Sequence, residues 1–172
     1  MNDYHFIDVS HVVEAGLVTY PGLPAPVIDE YMSREDSRAN YAPGTEFHIG
    51  HVDMVANTGT YVDSPFHRYR QASDLASLPL HKLANLKGLV VRIPGEASNP
   101  GDQRVIDASV FLGLALSNRA VLVNTGWSRY WNSDRYFTGH PFLTEDAAIH
   151  LRDSGAALVG IDSLNIDDTN NR

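Results

Sequence analysis

Three short apolar runs constrain the fold of this chain more than any other feature of its sequence. They contain β-branched residues, are bounded by turn-forming residues and lie at 89–93, 120–124 and 156–161. Runs of this kind are typical of buried strands in an α/β sheet. Helical periodicity separates them at 107–116 and 144–151, and the second segment opens with a threonine cap before two acidic residues. Strands that alternate with helices predict a mixed α/β fold.

Turn residues and apolar spacing predict further elements in the first half of the chain. Residues 6–10 are expected to form a first strand, and the prolines of 20–26 exclude a helix from the loop that follows. Residues 46–56 alternate polar and apolar side chains and predict a strand that enters the interior. The leucines of 75–86, interrupted by a proline, predict a short loop and a helix turn.

The composition limits the partners that the chain can have. With 172 residues, 43% of them hydrophobic, and no repeat or linker, we expect a single domain over 1–172. The formal net charge is -8 and the basic residues are scattered, so we expect no nucleic-acid partner. The absence of cysteine excludes thiolate chemistry and leaves N and O ligands for any metal. No secretory signal or membrane-spanning run is present, so we expect a cytoplasmic protein with no membrane partner.

The segment 57–67, Asn-Thr-Gly-Thr-Tyr-Val-Asp-Ser-Pro-Phe-His, is the densest set of functional groups in the sequence, and we refer to it as the signature segment. On an extended backbone Asn57, Tyr61 and Asp63 project to one side and are expected to converge. A proline then ends the strand and can turn His67 toward the same cavity. The alternative is a Gly-Thr turn with a half-buried histidine and an aspartate that caps a backbone amide.

The signature segment resembles the pattern His-x-Gly-Thr-His-x-Asp-x-Pro-x-His of the cyclase family, which includes bacterial kynurenine formamidases and isatin hydrolases. The positions that agree are Gly59, Thr60, Asp63, Pro65 and His67. Further resemblance lies in Asp-Val-Ser-His at 8–11, Tyr-Pro-Gly-Leu-Pro at 20–24, Asn-Thr-Gly-Trp at 124–127 and Tyr-Phe-Thr-Gly-His-Pro-Phe-Leu at 136–143. This coverage implies the family's α/β architecture, in which a mixed β-sheet curls toward a barrel with helices packed outside.

The resemblance also implies a chemistry. In hydrolytic family members the first two signature histidines and the aspartate bind one or two divalent metals, commonly Zn or Mn, which activate water, and the last histidine moves protons. Carried over, Asp63 is the metal carboxylate and His67 the acid/base. Asn57 and Tyr61 stand at the two imidazole positions. Because an amide oxygen and a protonated phenol are weaker ligands than imidazole, we expect a weakened metal site.

Two other parts of the sequence affect the expected metal site. His48 and His51 lie just upstream, but their i, i+3 spacing places them on opposite faces of a strand, so at most one can replace a lost ligand. The family usually continues beyond a segment like Gly-Ile-Asp-Ser-Leu-Asn-Ile at 160–166 into a stretch with further ligands. The resemblance therefore implies a member that lacks the family's C-terminal part.

The candidates for substrate contacts come from loops and aromatic residues. The aromatic residues of 127–136 can face a flat aryl substrate, or pack in the core or in a subunit interface. His140 is expected to line the pocket, or else to make one local hydrogen bond. The predicted substrate-binding residues are Asn57, Tyr20, Pro21, Trp127 and His140.

The resemblance implies a hydrolase that acts on a small amide by water attack on the carbonyl. The substrate would be an aryl formamide such as N-formylkynurenine, as in tryptophan catabolism, or a cyclic amide. One alternative is a metal-independent cyclase or lyase-like enzyme that uses Tyr61, Asp63 and His67. Another is a non-catalytic protein that binds a small molecule. The resemblance also implies a homodimer or homotetramer, with 130–142 as the candidate interface.

Overall fold

A computed structural model describes residues 5–93 and 104–169. The chain forms two compact units, Met1–Val62 and Asp63–Arg172. The first unit contains an antiparallel ribbon of two strands, β1 (Val27–Met32) and β2 (Ile49–Asp53), whose register shifts at a bulge after Glu30.

A short helix, α1 (Arg34–Ser37), follows β1 in the first unit. The Ser33 hydroxyl caps it by accepting a hydrogen bond from the Asp36 backbone N–H at 3.1 Å. Ser37 is fully buried, and its hydroxyl donates to the Arg34 carbonyl and accepts from the Phe47 backbone N–H at 2.9 Å. One serine therefore joins the helix to the segment that leads into β2.

The second unit is built on parallel strands. They are β3 (Lys87–Arg92), β4 (Val105–Ile106), β5 (Arg119–Asn124), β6 (Phe142–Leu143) and β7 (Leu158–Ile161). The strands β3, β5 and β7 form one parallel sheet with β5 in the centre, and β4 pairs with β6. A nine-residue helix, α2 (Glu145–Asp153), connects β6 to β7. Its helical conformation begins at the Thr144 cap, whose hydroxyl accepts from the Ala147 N–H.

The hydrophobic core of the described residues lies within the second unit. It combines the sheet, the inward face of α2 and the 3-10 turn Ala108–Phe111. Phe111 is completely buried, as are Val121 of the central strand and Ala147 of α2. The core side chains are Val91, Ile106, Phe111, Leu116, Val121, Val123, Leu143, Ala147 and Leu151.

The mixed α/β class is confirmed, because parallel and antiparallel strands occur and α2 packs against the parallel sheet. The predicted strands at 89–93, 120–124 and 156–161 correspond to β3, β5 and β7. The predicted strand at 46–56 contains β2, but its predicted entry into the interior is wrong, because every residue of β2 is exposed. Within the described ranges the sheets do not close into a barrel. The single domain over 1–172 stays a prediction.

Two predicted elements are wrong. Residues 6–10 form no strand, and Phe6 is 97% exposed. The Asp8 carboxylate accepts the Ser10 backbone N–H at 2.9 Å, a local bond that competes with strand pairing and also lowers the pKa of Asp8. Residues 107–116 form only the 3-10 turn Ala108–Phe111, because the backbone becomes extended at Leu112.

Candidate active site

The first part of the signature segment is a series of bends in the first unit. Thr58 is buried and donates its hydroxyl proton to the Val55 carbonyl at 2.7 Å. The Gly59 backbone N–H donates to the Thr19 hydroxyl at 3.2 Å, and the Thr60 hydroxyl accepts from the His11 backbone N–H. Hydrogen bonds to other parts of the first unit therefore fix residues 58–60 in this conformation. The extended strand assumed for this part of the segment is wrong.

The glycine of the signature segment is required by its surroundings. Gly59 has a φ of +67°, in the left-handed region that favours glycine. A Cβ atom at this position would lie 2.8 Å from Cγ2 of Val13. Both the backbone conformation and the close approach of Val13 exclude a larger residue without a shift.

The predicted site residues of the first unit differ in exposure. Asn57 and Tyr20 are half-buried, Pro21 is exposed, and the Tyr61 side chain is 43% exposed. The expected convergence of Asn57 and Tyr61 with Asp63 depended on an extended strand, so that argument no longer supports it. The convergence stays a prediction.

The second part of the signature segment forms a 3-10 turn in the second unit. Pro65 occupies the first position of the turn Pro65–His67, where its missing N–H costs no hydrogen bond. The turn brings the Nδ1 atom of His67 to 3.4 Å from Oδ1 of Asp63. The pairing of Asp63 with His67 is thus a local consequence of the i, i+4 spacing.

An exposed ion pair connects the turn to the segment that follows β7. Arg68, next to His67, places a guanidinium nitrogen 2.9 Å from a carboxylate oxygen of Asp167. Asp167 lies six residues beyond Ile161, the last residue of β7. In α/β sheets, ligands bind outside the carboxyl ends of the strands. The turn that carries the Asp63–His67 pair therefore contacts the segment that follows the carboxyl end of β7.

An aspartate that the sequence analysis did not select organises the same edge. Asp162 directly follows β7, and its Oδ1 accepts from the Thr125 N–H at 2.7 Å and from the Thr125 hydroxyl at 2.6 Å. Its Oδ2 accepts from the Gly126 N–H at 2.8 Å and from the Asn124 side-chain amide at 3.0 Å. The carboxylate joins the ends of β5 and β7. Its position directly after an apolar strand was the available sequence signal.

Trp127 follows this carboxylate cluster and is half-buried. Its indole Nε1 donates to the Tyr136 carbonyl at 3.1 Å, and its ring meets Tyr130 edge to face at 4.8 Å. The Arg135 guanidinium lies 4.1 Å from the Tyr130 ring centre. The indole is therefore fixed on several sides. The subunit interface proposed for 130–142 stays a prediction.

His140 is almost completely buried, with 1% of its surface exposed. Its Nδ1 lies 3.0 Å from the Pro141 carbonyl oxygen and its Nε2 lies 3.2 Å from the Thr169 hydroxyl. The Pro141 carbonyl also accepts the Ser163 hydroxyl at 2.8 Å. The local hydrogen bond weighed as an alternative is present, and a role of His140 in substrate binding stays a prediction.

Histidine and carboxylate side chains are the donors that this chain offers for a metal centre. Over residues 5–93 and 104–169, no group of three or more histidine, cysteine, aspartate or glutamate side chains is placed to hold a metal ion. His48 pairs with Glu30 at 3.2 Å and His51 with Asp29 at 2.8 Å. Because these acids are neighbours on β1, the two histidines project from opposite faces, as the spacing predicts. The described residues therefore do not fit the centre implied by the resemblance.

Comparison with known proteins defines the class and then the family. The parallel sheet and the signature segment define an α/β protein with an aspartate–histidine pair. The model of the Cyclase family, whose description reads "Putative cyclase", matches residues 7–168, and the chain belongs to this family. No helix of the described residues is long and apolar enough to cross a membrane.

Individual relatives are similar at low identity. Kynurenine formamidase of Bacillus cytotoxicus is 25% identical over 97% of this chain and 72% of that protein. Kynurenine formamidase of Geobacillus thermodenitrificans is 24% identical over 94% of this chain and 70% of that protein. A solved structure described as a potential metal-dependent hydrolase with cyclase activity matches 95% of this chain and 70% of its own, with a TM-score of 0.67 and 22% identity. That likeness shows the fold.

Proposed function

We propose that this chain is an enzyme of the hydrolase or cyclase type that hydrolyses a small amide, with an aryl formamide as its substrate class. The observation that carries the proposal is the Asp63–His67 pair, with Nδ1 and Oδ1 3.4 Å apart in the signature segment. The similarity to two proteins named kynurenine formamidase supports the choice of an aryl formamide.

The pair can perform general acid/base catalysis. With the imidazole proton on Nδ1, the nitrogen nearer Asp63, the Nε2 atom of His67 takes a proton from water while the water oxygen bonds to the formyl carbon. The carbonyl electron pair moves to its oxygen, and Asp63 stabilises the imidazolium that forms. The C–N bond then breaks, and His67 returns the proton to the departing amine nitrogen. The products are formate and an arylamine.

No step of this mechanism passes through a metal, because the described donor set does not fit one. Asn57 and Tyr61 offer an amide and a phenol where the signature has imidazoles. As hydrogen-bond donors, these groups suit an oxyanion better than a cation.

Release of formate from formanilide tests the proposal, with His67→Gln and Asp63→Asn as variants. Removing the acid/base should lower kcat by about a hundredfold to ten-thousandfold. His81→Gln is the matched control, because His81 is an exposed histidine in another 3-10 turn of the same unit. If His67→Gln retains the wild-type rate, the assignment is wrong.

Chelation tests the metal-free mechanism separately. We expect the metal content of the purified protein to be low and turnover to survive incubation with a chelator. Chelator-sensitive turnover that Zn or Mn restores would overturn this mechanism. It would show that a bound metal takes part in turnover.

The replacement of two signature histidines also favours a second function, a non-catalytic protein that binds a small molecule. This function predicts that anthranilate or another arylamine raises the melting temperature without turnover of any formamide. Turnover that depends on His67 excludes it.

A further inference from the structure

We propose that Asp162 is a positioning residue that fixes the indole of Trp127, and that this indole, as a predicted substrate-binding group, gives the enzyme a preference for aryl over alkyl amides. The inference rests on the proposed function for its substrate, but the positioning of the indole is a property of the free protein. The two can therefore fail separately.

The Asp162 carboxylate has no capacity left for a ligand. It accepts four hydrogen bonds, two at each oxygen, from Asn124, Thr125 and Gly126. An ionised carboxylate offers about four acceptor sites. All four are used by the loop after β5, so the group acts on that loop and does not act as a base or a metal ligand.

The hydrogen bonds continue from Asp162 to Trp127 through one threonine. Thr125 is buried, and its hydroxyl donates to Asp162 while it accepts from the Trp127 backbone N–H at 3.1 Å. Gly126 has a φ of +71°, which turns the chain between them. The backbone that carries the indole is thus oriented by a carboxylate that directly follows another strand, β7.

The indole is fixed at its far end as well, by the 3.1 Å bond from Nε1 to the Tyr136 carbonyl. Tyr130 meets the ring edge to face and the Arg135 guanidinium lies over it, 6.0 Å from its centre, but Trp127 as a whole is only half-buried. In the proposed function an aryl group packs against the part of the ring that remains exposed, and such an aromatic contact contributes up to about 1.5 kcal/mol beyond burial. That amount corresponds to about a tenfold difference in affinity. An alkyl substrate cannot make this aromatic contact. A substitution that lets the Trp127 indole move should therefore weaken the binding of aryl substrates more than that of alkyl substrates.

Fluorescence of the free protein tests the positioning. The sequence has two tryptophans, so in a Trp131→Phe background the emission reports Trp127 alone. Asp162→Asn and Thr125→Val should shift this emission to the red and increase its quenching by acrylamide. Thr125→Ser keeps the hydroxyl and should preserve the parent signal. Asp146→Asn, which removes a carboxylate that accepts the Ala108 N–H elsewhere in this unit, is the control.

The positioning role is overturned if Asp162→Asn and Thr125→Val are folded by circular dichroism and leave the Trp127 emission and quenching unchanged. If Asp162→Asn does not fold, the comparison of Thr125→Val with Thr125→Ser decides. Emission that changes with the first substitution and is kept by the second supports the role. Equal emission in the two refutes it.

Kinetics test the consequence for specificity. The ratio of kcat/KM for formanilide to that for N-butylformamide should fall about tenfold in Asp162→Asn and stay at the parent value in Asp146→Asn. An equal loss for both substrates would refute the specificity role. If the parent protein hydrolyses neither substrate, the proposed function fails, while the fluorescence of Trp127 still decides whether Asp162 positions it.

Discussion

Replacing Gly59 by alanine tests how tightly the signature segment is packed. At a φ of +67°, an L residue costs about 1–2 kcal/mol relative to glycine. The new Cβ would also lie 2.8 Å from Cγ2 of Val13, and overpacking of this kind costs about 1–3 kcal/mol. We therefore expect Gly59→Ala to lower the free energy of unfolding by about 2–5 kcal/mol.

Two further variants separate the backbone effect from the contact. Gly16, in the same unit, has a φ of +79° and no heavy atom within 4 Å of a Cβ, so Gly16→Ala should show the backbone cost alone. Val13→Ala removes the methyl group that the new Cβ would meet. In a double-mutant cycle it should therefore cost about 1 kcal/mol less in the Gly59→Ala background than in the parent.

Urea unfolding followed by circular dichroism gives these free energies, provided that the slope with denaturant is the same for all variants. The reasoning is refuted if Gly59→Ala is no more destabilising than Gly16→Ala. It is also refuted if Val13→Ala has the same cost in both backgrounds.

Three other substitutions test the second unit. Phe111→Ala empties a fully buried site and should cost about 3–5 kcal/mol in urea unfolding; a loss below 1 kcal/mol would contradict its place in the core. Thr144→Ala removes the cap of α2 and should cost about 1 kcal/mol in the same assay, whereas Thr144→Ser should cost less. The Thr144 hydroxyl and then the Ala108 N–H lower the pKa of Asp146, so its stabilisation is complete above the ordinary carboxyl pKa and is lost as the pH falls through the lowered pKa. Melting temperatures from pH 7 down to about pH 2 should fall less steeply for Asp146→Asn than for the parent.

Elements with a local cause could be predicted from the sequence. The buried strand β5 is a run of apolar and β-branched residues, and α2 begins where a threonine precedes two acids. The two-residue strands β4 and β6 could not be predicted, because they exist through their pairing with each other. The false strand at 6–10 has an apolar pattern, but a side-chain bond from Asp8 to the backbone decides its conformation.

The same distinction applies to the candidate site. The Asp63–His67 pair follows from four residues of spacing and a proline turn, and it could be predicted. The position of Asp162 directly after an apolar strand is a sequence signal, but its hydrogen bonds could not be predicted, because the donors lie 36 to 38 residues earlier in the sequence. Gly59 agrees with the family pattern, but its physical reason, the approach of Val13, appears only in the folded chain.

The exposure of the proposed catalytic pair leads to a last prediction. His67 and Asp63 are 47% and 46% exposed, and an ion pair in contact with water is worth little because solvent screens it. A bound aryl group that displaces this water would strengthen the interaction of Asp63 with the imidazolium in the transition state. The preference for formanilide over N-butylformamide should therefore appear in kcat as well as in KM, and Asp63→Asn should reduce the difference in kcat. A preference confined to KM would show that the aryl ring contributes binding alone and that the pair is already fully effective in water.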